Sequence, residues 1–291
     1  MIAIVTDSSA HLFREEAEAL NVTVVPMTYS LSGQQTLWES YMESNGDYEH
    51  LVDANMERLR TSQASYASFM GEFLEILESG ADILCLTISS RLSGTFGNAS
   101  MAARDLAPER IQVVDSLTTS GGLYLMVREA RRLLDEGKTL TETASILNAM
   151  RGCVRIAFTV DDIAPLRRSG RLGAVRLSIS TILNIRPVPR CVDGSIISTG
   201  VVRGRGEQMK VLVDSLPKEP CDCLVEGFLA DEQMAALKAK IEAKGHRAEL
   251  RHIGPVLGIH LGRGCLGVSW IDRGSENCAA LTEPKEVKSE S

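Results

Sequence analysis

A repeated order of elements constrains the fold of this chain more than any other feature. Three times in the first 135 residues, a short apolar strand runs into a loop rich in Ser, Thr or Asp, and a helix follows. Such units form parallel sheets with right-handed crossovers. The strands are predicted over residues 2–5, 83–88 and 111–114, and the loops over 6–9, 89–94 and 115–120. Because each loop leaves the carboxyl end of its strand, we expect all three to line one crevice at a sheet edge, where ligands bind in open parallel sheets.

The pattern changes after about Thr139, where hairpin signals begin to mix with helices. Asp193-Gly194 separates two apolar runs and is typical of a tight hairpin turn. A length of 291 residues is enough for two domains. We therefore predict an α/β fold, with a parallel-sheet α/β domain over residues 1–150 and an α+β domain over 151–275. A ligand would lie between or beneath the two, and residues 276–291 would form a flexible tail.

Three segments have weaker patterns. Residues 30–60 are polar and interrupted by Gly and Asn, and only a helical run over 48–59 stands out. Two short helical stretches are expected over 161–168 and 175–183. Four glycines over residues 254–264 indicate a ligand loop that contains His260.

Composition disfavours several functions. Hydrophobic residues make up 44% and charged residues 24%, as in ordinary soluble proteins. With 4% aromatic residues and a net charge of −7, nucleic acids and anionic membranes are poor candidates as partners. Residues 151–210 nevertheless hold eleven Lys or Arg against four acids. This segment is either a solvated face or a docking surface for an anionic group or an acidic partner.

Cysteine usage and the N-terminus bear on the compartment. The seven cysteines are scattered and include no C-x-x-C pair, which is typical of a reducing environment. Met1 to Asp7 has no basic region before its apolar residues, so no signal peptide is expected. No apolar stretch is long enough to span a bilayer. We therefore expect a cytoplasmic protein without an integral membrane segment.

Hydroxyl side chains dominate the predicted crevice. They are Ser89, Ser90, Ser93 and Thr95 in one loop, Ser116, Thr118, Thr119 and Ser120 in the next, and Thr61, Ser62 and Ser65 in a third. Each one alone is best interpreted as a helix cap. Three such loops together favour an anion site built from hydroxyls and backbone N–H groups at helix N-termini. Ser93-Gly94 is the best-placed pair, because glycine allows the backbone to approach a ligand closely.

Catalysis by Ser93 lacks support in the sequence. A G-x-S-x-G motif is missing, and the hydroxyl loops contain no His to act as a base. His260 is either a structural residue or a donor to a carboxylate. The spacing of Cys, His and acidic residues does not indicate a metal site, and the glycine-rich segment lacks the Gly-Lys-Ser/Thr of a P-loop. We therefore predict a holding site with no catalytic residue, metal or cofactor.

Two arginines in the basic segment have an open role. Arg171 follows Ser169-Gly170, and Arg203 ends the second strand of the predicted hairpin. They are either surface charges or a pair suited to a phosphoryl group or a kinase partner.

An ordered set of short motifs resembles the DegV family of bacterial fatty acid-binding proteins. The set covers residues 2 to about 270 and comprises Val5-Thr6-Asp7-Ser8-Ser9, Thr61-Ser62-Gln63-Ala64-Ser65, Ile88-Ser89-Ser90-Arg91-Leu92-Ser93-Gly94-Thr95-Phe96, Val114-Asp115-Ser116, Ser120-Gly121-Gly122, Arg168-Ser169-Gly170-Arg171-Leu172, Asn184-Ile185-Arg186-Pro187, Asp193-Gly194, Arg203-Gly204-Arg205, Gly254-Pro255 and His260-Leu261-Gly262. Each motif is weak, and the order makes the set specific.

The resemblance implies a function and assigns roles to residues. The chain would bind a long-chain fatty acid and present it to a separate ATP-dependent fatty acid kinase, which makes acyl phosphate for phospholipid synthesis. The fatty-acid carboxylate would contact Thr61, Ser62, Ser93, Gly94 and His260. The family pattern also assigns Arg171 and Arg203 to kinase engagement or phosphoryl transfer.

The chain departs from the family pattern at three positions. The family usually has Pro at Ala64, Lys at Arg186 and Pro at Arg263. Arg263 adds a cation near His260, which either tightens the carboxylate site or faces solvent. Two other functions remain open: an acyl hydrolase or transferase that uses Ser93, and a binder of another small anion.

Overall fold

The structure is a computed structural model that describes residues 1–31, 35–172, 185–274 and Cys278. Over these residues the strands are β1 (Ile2–Asp7), β2 (Val22–Val25), β3 (Met27–Leu31), β4 (Thr36–Glu39), β5 (Leu59–Ser62), β6 (Asp82–Thr87), β7 (Ile111–Asp115), β8 (Val154–Thr159), β9 (Ile185–Val192), β10 (Ser195–Arg203), β11 (Asp222–Phe228), β12 (Arg247–His252) and β13 (Cys265–Ile271). The helices are α1 (Arg14–Leu20), α2 (Tyr48–Asn55), α3 (Tyr66–Glu78), α4 (Thr95–Leu106), α5 (Ser120–Asp135), α6 (Leu140–Met150), α7 (Ala164–Arg168), α8 (Gly204–Val213), α9 (Asp231–Glu242) and α10 (Pro255–Leu261).

The first sheet is parallel, as the repeated strand–loop–helix order predicts. Its strand order is β2-β1-β6-β7, and every pairing within it is parallel. The central strands β1 and β6 are apolar and buried because helices cover both faces of such a sheet. The loops that follow β1, β6 and β7 therefore do leave the sheet at one edge.

Residues 27–62 differ from the prediction of a single helical run. They form a small antiparallel sheet of order β4-β3-β5, and α2 ends at Asn55. In β3, Met27, Tyr29 and Leu31 are buried while the two residues between them are partly exposed. This alternation is the signature of a half-buried strand. It extends over only five residues, which is too short to stand out among polar neighbours.

The second sheet is mixed and has the order β10-β9-β8-β13-β11-β12. Only the β11–β12 pairing is parallel, and β9–β10 is the predicted hairpin. Asp193 and Gly194 both have positive φ, +47° and +77°, which suits the tight turn expected there. One face of the sheet packs against α8 and α9. The opposite face is turned toward the N-terminal part of the chain.

Polar contacts join the two parts across large sequence separations. The Arg251 guanidinium donates to the Glu16 carboxylate at 2.7 and 2.9 Å. The Tyr48 hydroxyl donates to the carbonyl of Ile253 at 2.9 Å. One apolar cluster also contains residues from both parts, including Phe69 and Phe228. These polar and apolar contacts therefore hold the two parts together around the space between them.

These features confirm the predicted fold class, an N-terminal parallel-sheet α/β part followed by a second sheet with helices. The predicted domain boundary at residue 150 stays a prediction. The helical stretch expected over residues 175–183 lies outside the described residues, as does the expected tail apart from Cys278. Among the helices that are described, none has the length and apolar character needed to cross a bilayer.

Candidate functional site

A cavity of about 360 Å³ lies between the second sheet and the N-terminal part of the chain. Its volume is within the usual range of small-molecule sites. Strands β8, β9, β10, β11 and β13 form its floor, while β5, the loop after β6 and α10 contribute much of the rest. The cavity therefore lies where the fold class places a ligand.

The floor of the cavity is mostly apolar. Ile156 and Phe158 of β8 point toward it, because alternate residues of a strand face the same side of a sheet. Their neighbour Gly267 on β13 packs closely against β8, since a Cβ there would come only 3.1 Å from the Cβ of Phe158. Cys191 and Ile196 continue the floor toward the sheet edge. This surface suits a hydrocarbon chain.

Five predicted site residues line this cavity together: Thr61, Ser62, Ser93, Arg171 and His260. The hydroxyl of Thr61 and Nε2 of His260 are hydrogen-bonded at 2.8 Å, across 199 residues of sequence. The hydroxyl of Ser93 is 2.8 Å from that of Thr95. We call Thr61, Ser62, Ser93 and His260 the mouth cluster.

Two other predicted site residues do not line the cavity. Gly94 begins α4, and its N–H donates to Oε1 of Gln63 at 3.1 Å. A Cβ at position 94 would come 2.3 Å from Oε1 of Gln63, so the glycine lets this side chain end approach the backbone closely. Arg203 is exposed at the end of β10, outside the cavity lining. Gln63 itself lines the cavity. The sequence analysis did not predict it as a site residue, although it lies between Ser62 and Ala64 in the motif Thr61-Ser62-Gln63-Ala64-Ser65.

His260 lies on helix α10, and the prediction of a glycine-rich loop at this point is wrong. Pro255 occupies the first turn of the helix, and Gly262 ends it with a φ of +78°. Gly258 lies within the helix, where the Phe228 ring packs against it so closely that a Cβ would come 2.6 Å from a ring carbon. The glycines therefore reflect close packing and a helix end.

The environment of His260 favours the neutral imidazole. Burial, together with the nearby Arg171 guanidinium, lowers the pKa of His260 to about 4. Nδ1 of the ring is buried and has no hydrogen-bond partner in the described part of the chain. A carboxylate bound beside the ring would act in the opposite direction and raise this pKa.

The expectation that all three loops line the cavity is correct for two of them, since Ser93 in one loop and Thr119 and Ser120 in another line it. The loop over residues 6–9 does not line it, and most of the predicted crevice hydroxyls do not face it. Oδ1 of Asp7 accepts from the N–H and hydroxyl of Ser9 at 3.0 and 2.6 Å, and Oδ2 accepts from the N–H of Ile88 at 2.7 Å. The Ser89 hydroxyl donates to the carbonyl of Gly194 at 2.8 Å. The Ser116 hydroxyl bonds within its own turn. These buried groups pair with the backbone because an unpaired buried polar group is costly.

Buried carboxyl groups accompany these hydroxyls. Burial raises the pKa of Asp7 to about 6, although its hydrogen bonds act in the opposite direction. Burial likewise raises the pKa of Glu39 to about 7. Glu39 accepts from the Ser8 hydroxyl at 2.7 Å and from the N–H of Val256 at 3.0 Å, so it links the small antiparallel sheet to α10.

Sequence reasoning also missed Glu226, a buried acid in the cavity wall. It lies on β11, is 3% exposed and accepts hydrogen bonds from the Ser120 and Ser269 hydroxyls and from the N–H of Gly121. Burial raises its pKa. An acid inside the apolar run Cys223–Phe228 was the available signal, because an unpaired carboxylate is rare at such a position.

The geometry does not pair Ser93 with a base. The Ser93 hydroxyl bonds to Thr95, while the nearest imidazole of the mouth cluster, His260, bonds to Thr61. A nucleophilic serine needs a base within hydrogen-bond reach. In the described residues, His, Cys, Asp and Glu side chains form no group of three or more suited to a metal ion.

Comparison with known proteins points to one family. Residues 1–273 match the sequence profile described as "Uncharacterised protein, DegV family". A DegV domain-containing protein of Deinococcus radiodurans is 32% identical over 275 residues, which cover 92% of this chain and 97% of that protein.

Solved structures of DegV proteins share the fold. A structure from Thermus thermophilus described as "Fatty Acid Binding of a DegV family Protein" is 28% identical, with a TM-score of 0.83, and the match covers 93% of this chain and 99% of that one. A stearic acid-binding protein from Eubacterium ventriosum is 26% identical, with a TM-score of 0.81, over 93% of this chain and 98% of its own.

Proposed function

Since this chain belongs to the DegV family, we propose that it binds a long-chain fatty acid in the cavity between its two parts. The observation that supports this most is one cavity with an apolar floor and a polar mouth cluster. An acyl chain would lie along Ile156 and Phe158, and its carboxylate would meet the mouth cluster. The fatty acid-binding relatives named above have the same fold.

The expected energetics suit a carrier. Burying an acyl chain contributes about 0.8 kcal/mol per CH₂, so ~14 methylenes give about 11 kcal/mol before costs. A hydrogen bond to the charged carboxylate adds about 1.5–3 kcal/mol, part of which offsets desolvation. The chain therefore sets the affinity, and the mouth cluster sets the orientation and the head-group preference.

The head-group contacts follow from the donors at the mouth. The hydroxyls of Thr61, Ser62 and Ser93 and the His260 ring can each donate to a carboxylate oxygen. Gly94 offers a backbone N–H at the start of α4, provided that the Gln63 side chain rotates away from it. Gln63 would then serve as a stand-in acceptor that the ligand carboxylate displaces.

The second element of the proposal is a partner. We propose that a separate ATP-dependent fatty acid kinase phosphorylates the bound carboxylate and that this chain contributes binding without covalent chemistry. Arg171 lines the cavity beside the mouth cluster, and its Nε donates to the carbonyl of Leu92 at 3.3 Å. Its charge is well placed for a phosphoryl group at the mouth, and exposed Arg203 would contact the kinase. The acyl phosphate would enter phospholipid synthesis in the cytoplasm.

Ligand identity is tested by native mass spectrometry of gently purified protein. We expect a bound mass that matches a C14–C18 fatty acid, and displacement of it by added stearate. Protein that is always empty and does not bind added fatty acids would refute the proposal.

The kinase role is tested with arginine variants. Arg171→Ala should retain stearate binding and lower the rate of acyl-phosphate formation by a purified fatty acid kinase, with a smaller effect for Arg203→Ala. Arg104→Ala is a matched control, since Arg104 is an exposed arginine of α4 away from the cavity. Loss of stearate binding in Arg171→Ala would contradict this division of roles.

A further inference from the structure

The cavity wall carries a second polar group, which the carboxylate at the mouth does not use. Glu226 on β11 and the neighbouring residues Thr119 and Ser120 line the same cavity as the mouth cluster. A plain hydrocarbon chain has no group that can form a hydrogen bond with these polar atoms. A cavity for saturated chains alone would place apolar side chains here.

The position of Glu226 is deeper than the mouth. Helix α10 ends at Leu261, and β13 begins soon afterwards at Cys265, so His260 lies near the start of β13. Glu226 pairs with Gly267, which in turn pairs with Phe158 of the floor, and it is 3% exposed, whereas Ser62 of the mouth cluster is exposed. A chain whose carboxylate is held at the mouth would bring a later carbon, beyond the first few, to Glu226.

Glu226 has hydrogen-bonding capacity left over. A carboxylate has about four acceptor positions on its two oxygens. Oε1 accepts from the Ser120 hydroxyl and from the N–H of Gly121, whereas Oε2 accepts from the Ser269 hydroxyl alone. One acceptor position on Oε2 is therefore available to a donor inside the cavity.

Thr119 supplies a second unused group. Its Oγ1 is buried, and no group in the described residues forms a hydrogen bond with it. Thr119 precedes Ser120 and Gly121, both of which bond to Oε1 of Glu226, and Thr119 and Glu226 line the same cavity. A ligand hydroxyl could donate to Glu226 and accept from Thr119, because a hydroxyl is both donor and acceptor.

Resting on the proposed function, we propose that this cavity selects long-chain fatty acids that carry a hydroxyl group away from the carboxylate. Glu226 and Thr119 recognise that hydroxyl, and Ser120, Gly121 and Ser269 hold Glu226 in position. The links from Glu226 to α5 and β13 also join the two parts of the chain. That structural role uses three acceptor positions and does not explain the fourth.

The test compares stearate with 10-hydroxystearate and 12-hydroxystearate, with 2-hydroxystearate as a control whose hydroxyl stays at the mouth. Affinities are measured by fluorescence displacement or calorimetry. For the wild-type protein, at least one chain-hydroxylated acid should bind as tightly as stearate or more tightly. In an apolar pocket that offers no hydrogen-bond partner, the buried hydroxyl of the ligand would instead lower its affinity about tenfold or more.

Two variants locate the effect. Thr119→Val and Glu226→Gln should each lower the affinity ratio of the hydroxylated acid to stearate by about fivefold to tenfold, with stearate affinity nearly unchanged. Thr118→Val is the matched control: it removes a neighbouring buried hydroxyl that also lacks a partner in the described residues but does not line the cavity. If Glu226→Gln fails to fold, Thr119→Val still decides the matter, since its hydroxyl supports no protein contact.

The outcomes separate this inference from the proposed function. If stearate binds and both hydroxylated acids bind at least tenfold more weakly, or if neither variant changes the ratio, the hydroxyl site is refuted and fatty acid binding stands. If hydroxylated acids bind and stearate does not, the hydroxyl site is supported and the preference is stronger than we infer. If none of the acids binds, both proposals fail.

Discussion

Two polar clusters of similar composition have opposite properties in this molecule. Asp7, Ser8, Ser9, Ser89 and Ser116 form a closed cluster at the carboxyl edge of the parallel sheet, buried and bonded to one another, to Glu39 and to the backbone. The mouth cluster lies against an open cavity. The comparison teaches that a hydroxyl-rich loop indicates a ligand site only when its side chains border an open cavity.

The origin of the two clusters explains the difference. The closed cluster comes from the ends of β1, β6 and β7, which the second sheet and its hairpin cover, as the contact between Ser89 and Gly194 shows. The mouth cluster is drawn from β5, the start of α4 and the end of α10. Its members meet only where the two parts of the chain meet, and there they border the cavity, with Thr61 and His260 bonded to each other.

The largest expected effect is the loss of stability when Asp7 is replaced. Asp7→Ala leaves two backbone N–H groups and one hydroxyl without an acceptor in a buried site. We expect the free energy of unfolding to fall by about 3–5 kcal/mol, measured by urea denaturation. Ser90→Ala, at an exposed serine of the same edge, should change it by less than about 0.5 kcal/mol. Equal, small effects would mean that the closed cluster does not support the fold.

A pH effect on stability should come next. Burial raises the pKa of Glu39 from an ordinary 4.5 to about 7, so the folded protein retains a proton that the unfolded chain releases. Stability from this group is complete below pH 4.5 and is lost as the pH rises toward 7, a change on the order of 3 kcal/mol.

Glu39→Gln isolates that effect. A glutamine can still accept from the N–H of Val256 and donate to Ser8, but it does not titrate. Urea denaturation between pH 4 and 8 should therefore show a flatter curve for Glu39→Gln than for the wild-type protein. Parallel curves would show that Glu39 does not titrate in this range.

At the mouth cluster, the expected effect moves from stability to affinity. Thr61→Val removes a donor to the ligand carboxylate and the partner of His260. Stearate affinity should fall by about 1.5–3 kcal/mol in calorimetry, while the free energy of unfolding changes little. The affinity for methyl stearate, which lacks the carboxylate charge, should fall much less in the same variant. Thr61→Ser, which keeps a hydroxyl, should restore stearate binding. A large loss of stability with unchanged affinity would mean that Thr61, like the closed cluster, supports the fold and not the ligand.

The smallest effect is expected for Ser93→Ala. The Ser93 hydroxyl already bonds with Thr95, so only part of its capacity remains for a ligand. We expect stearate affinity to fall by about 1 kcal/mol, with no acyl-enzyme formed by either protein. Covalent labelling of Ser93 by a serine-directed fluorophosphonate would instead support the hydrolase alternative.

Local patterns predicted the fold well and the site only in part. The parallel sheet and the hairpin turn at Asp193-Gly194 follow from short-range periodicity and turn chemistry. Thr61, Ser62 and His260 stood out as single candidates, but only the family resemblance placed them in one carboxylate site, since nothing local joins residues 199 positions apart. The same reason hid Glu226, whose partner Ser120 is 106 residues away.

Arg263 shows how a departure from the family pattern can be resolved by contacts. Its guanidinium pairs with the carboxylate of Asp53 at 2.8 Å and is largely exposed, so it does not join the mouth cluster. Of the two meanings that the sequence left open, the structure favours a surface position.

The place of β13 has a consequence for how this protein is made. The last of the described strands lies between β8 and β11, so β10-β9-β8 and β11-β12 are separate sheet fragments until Cys265–Ile271 has left the ribosome. Each fragment then carries an unpaired strand edge, a feature that promotes aggregation. The floor of the cavity, which includes Cys265 and Gly267, is therefore completed late in synthesis.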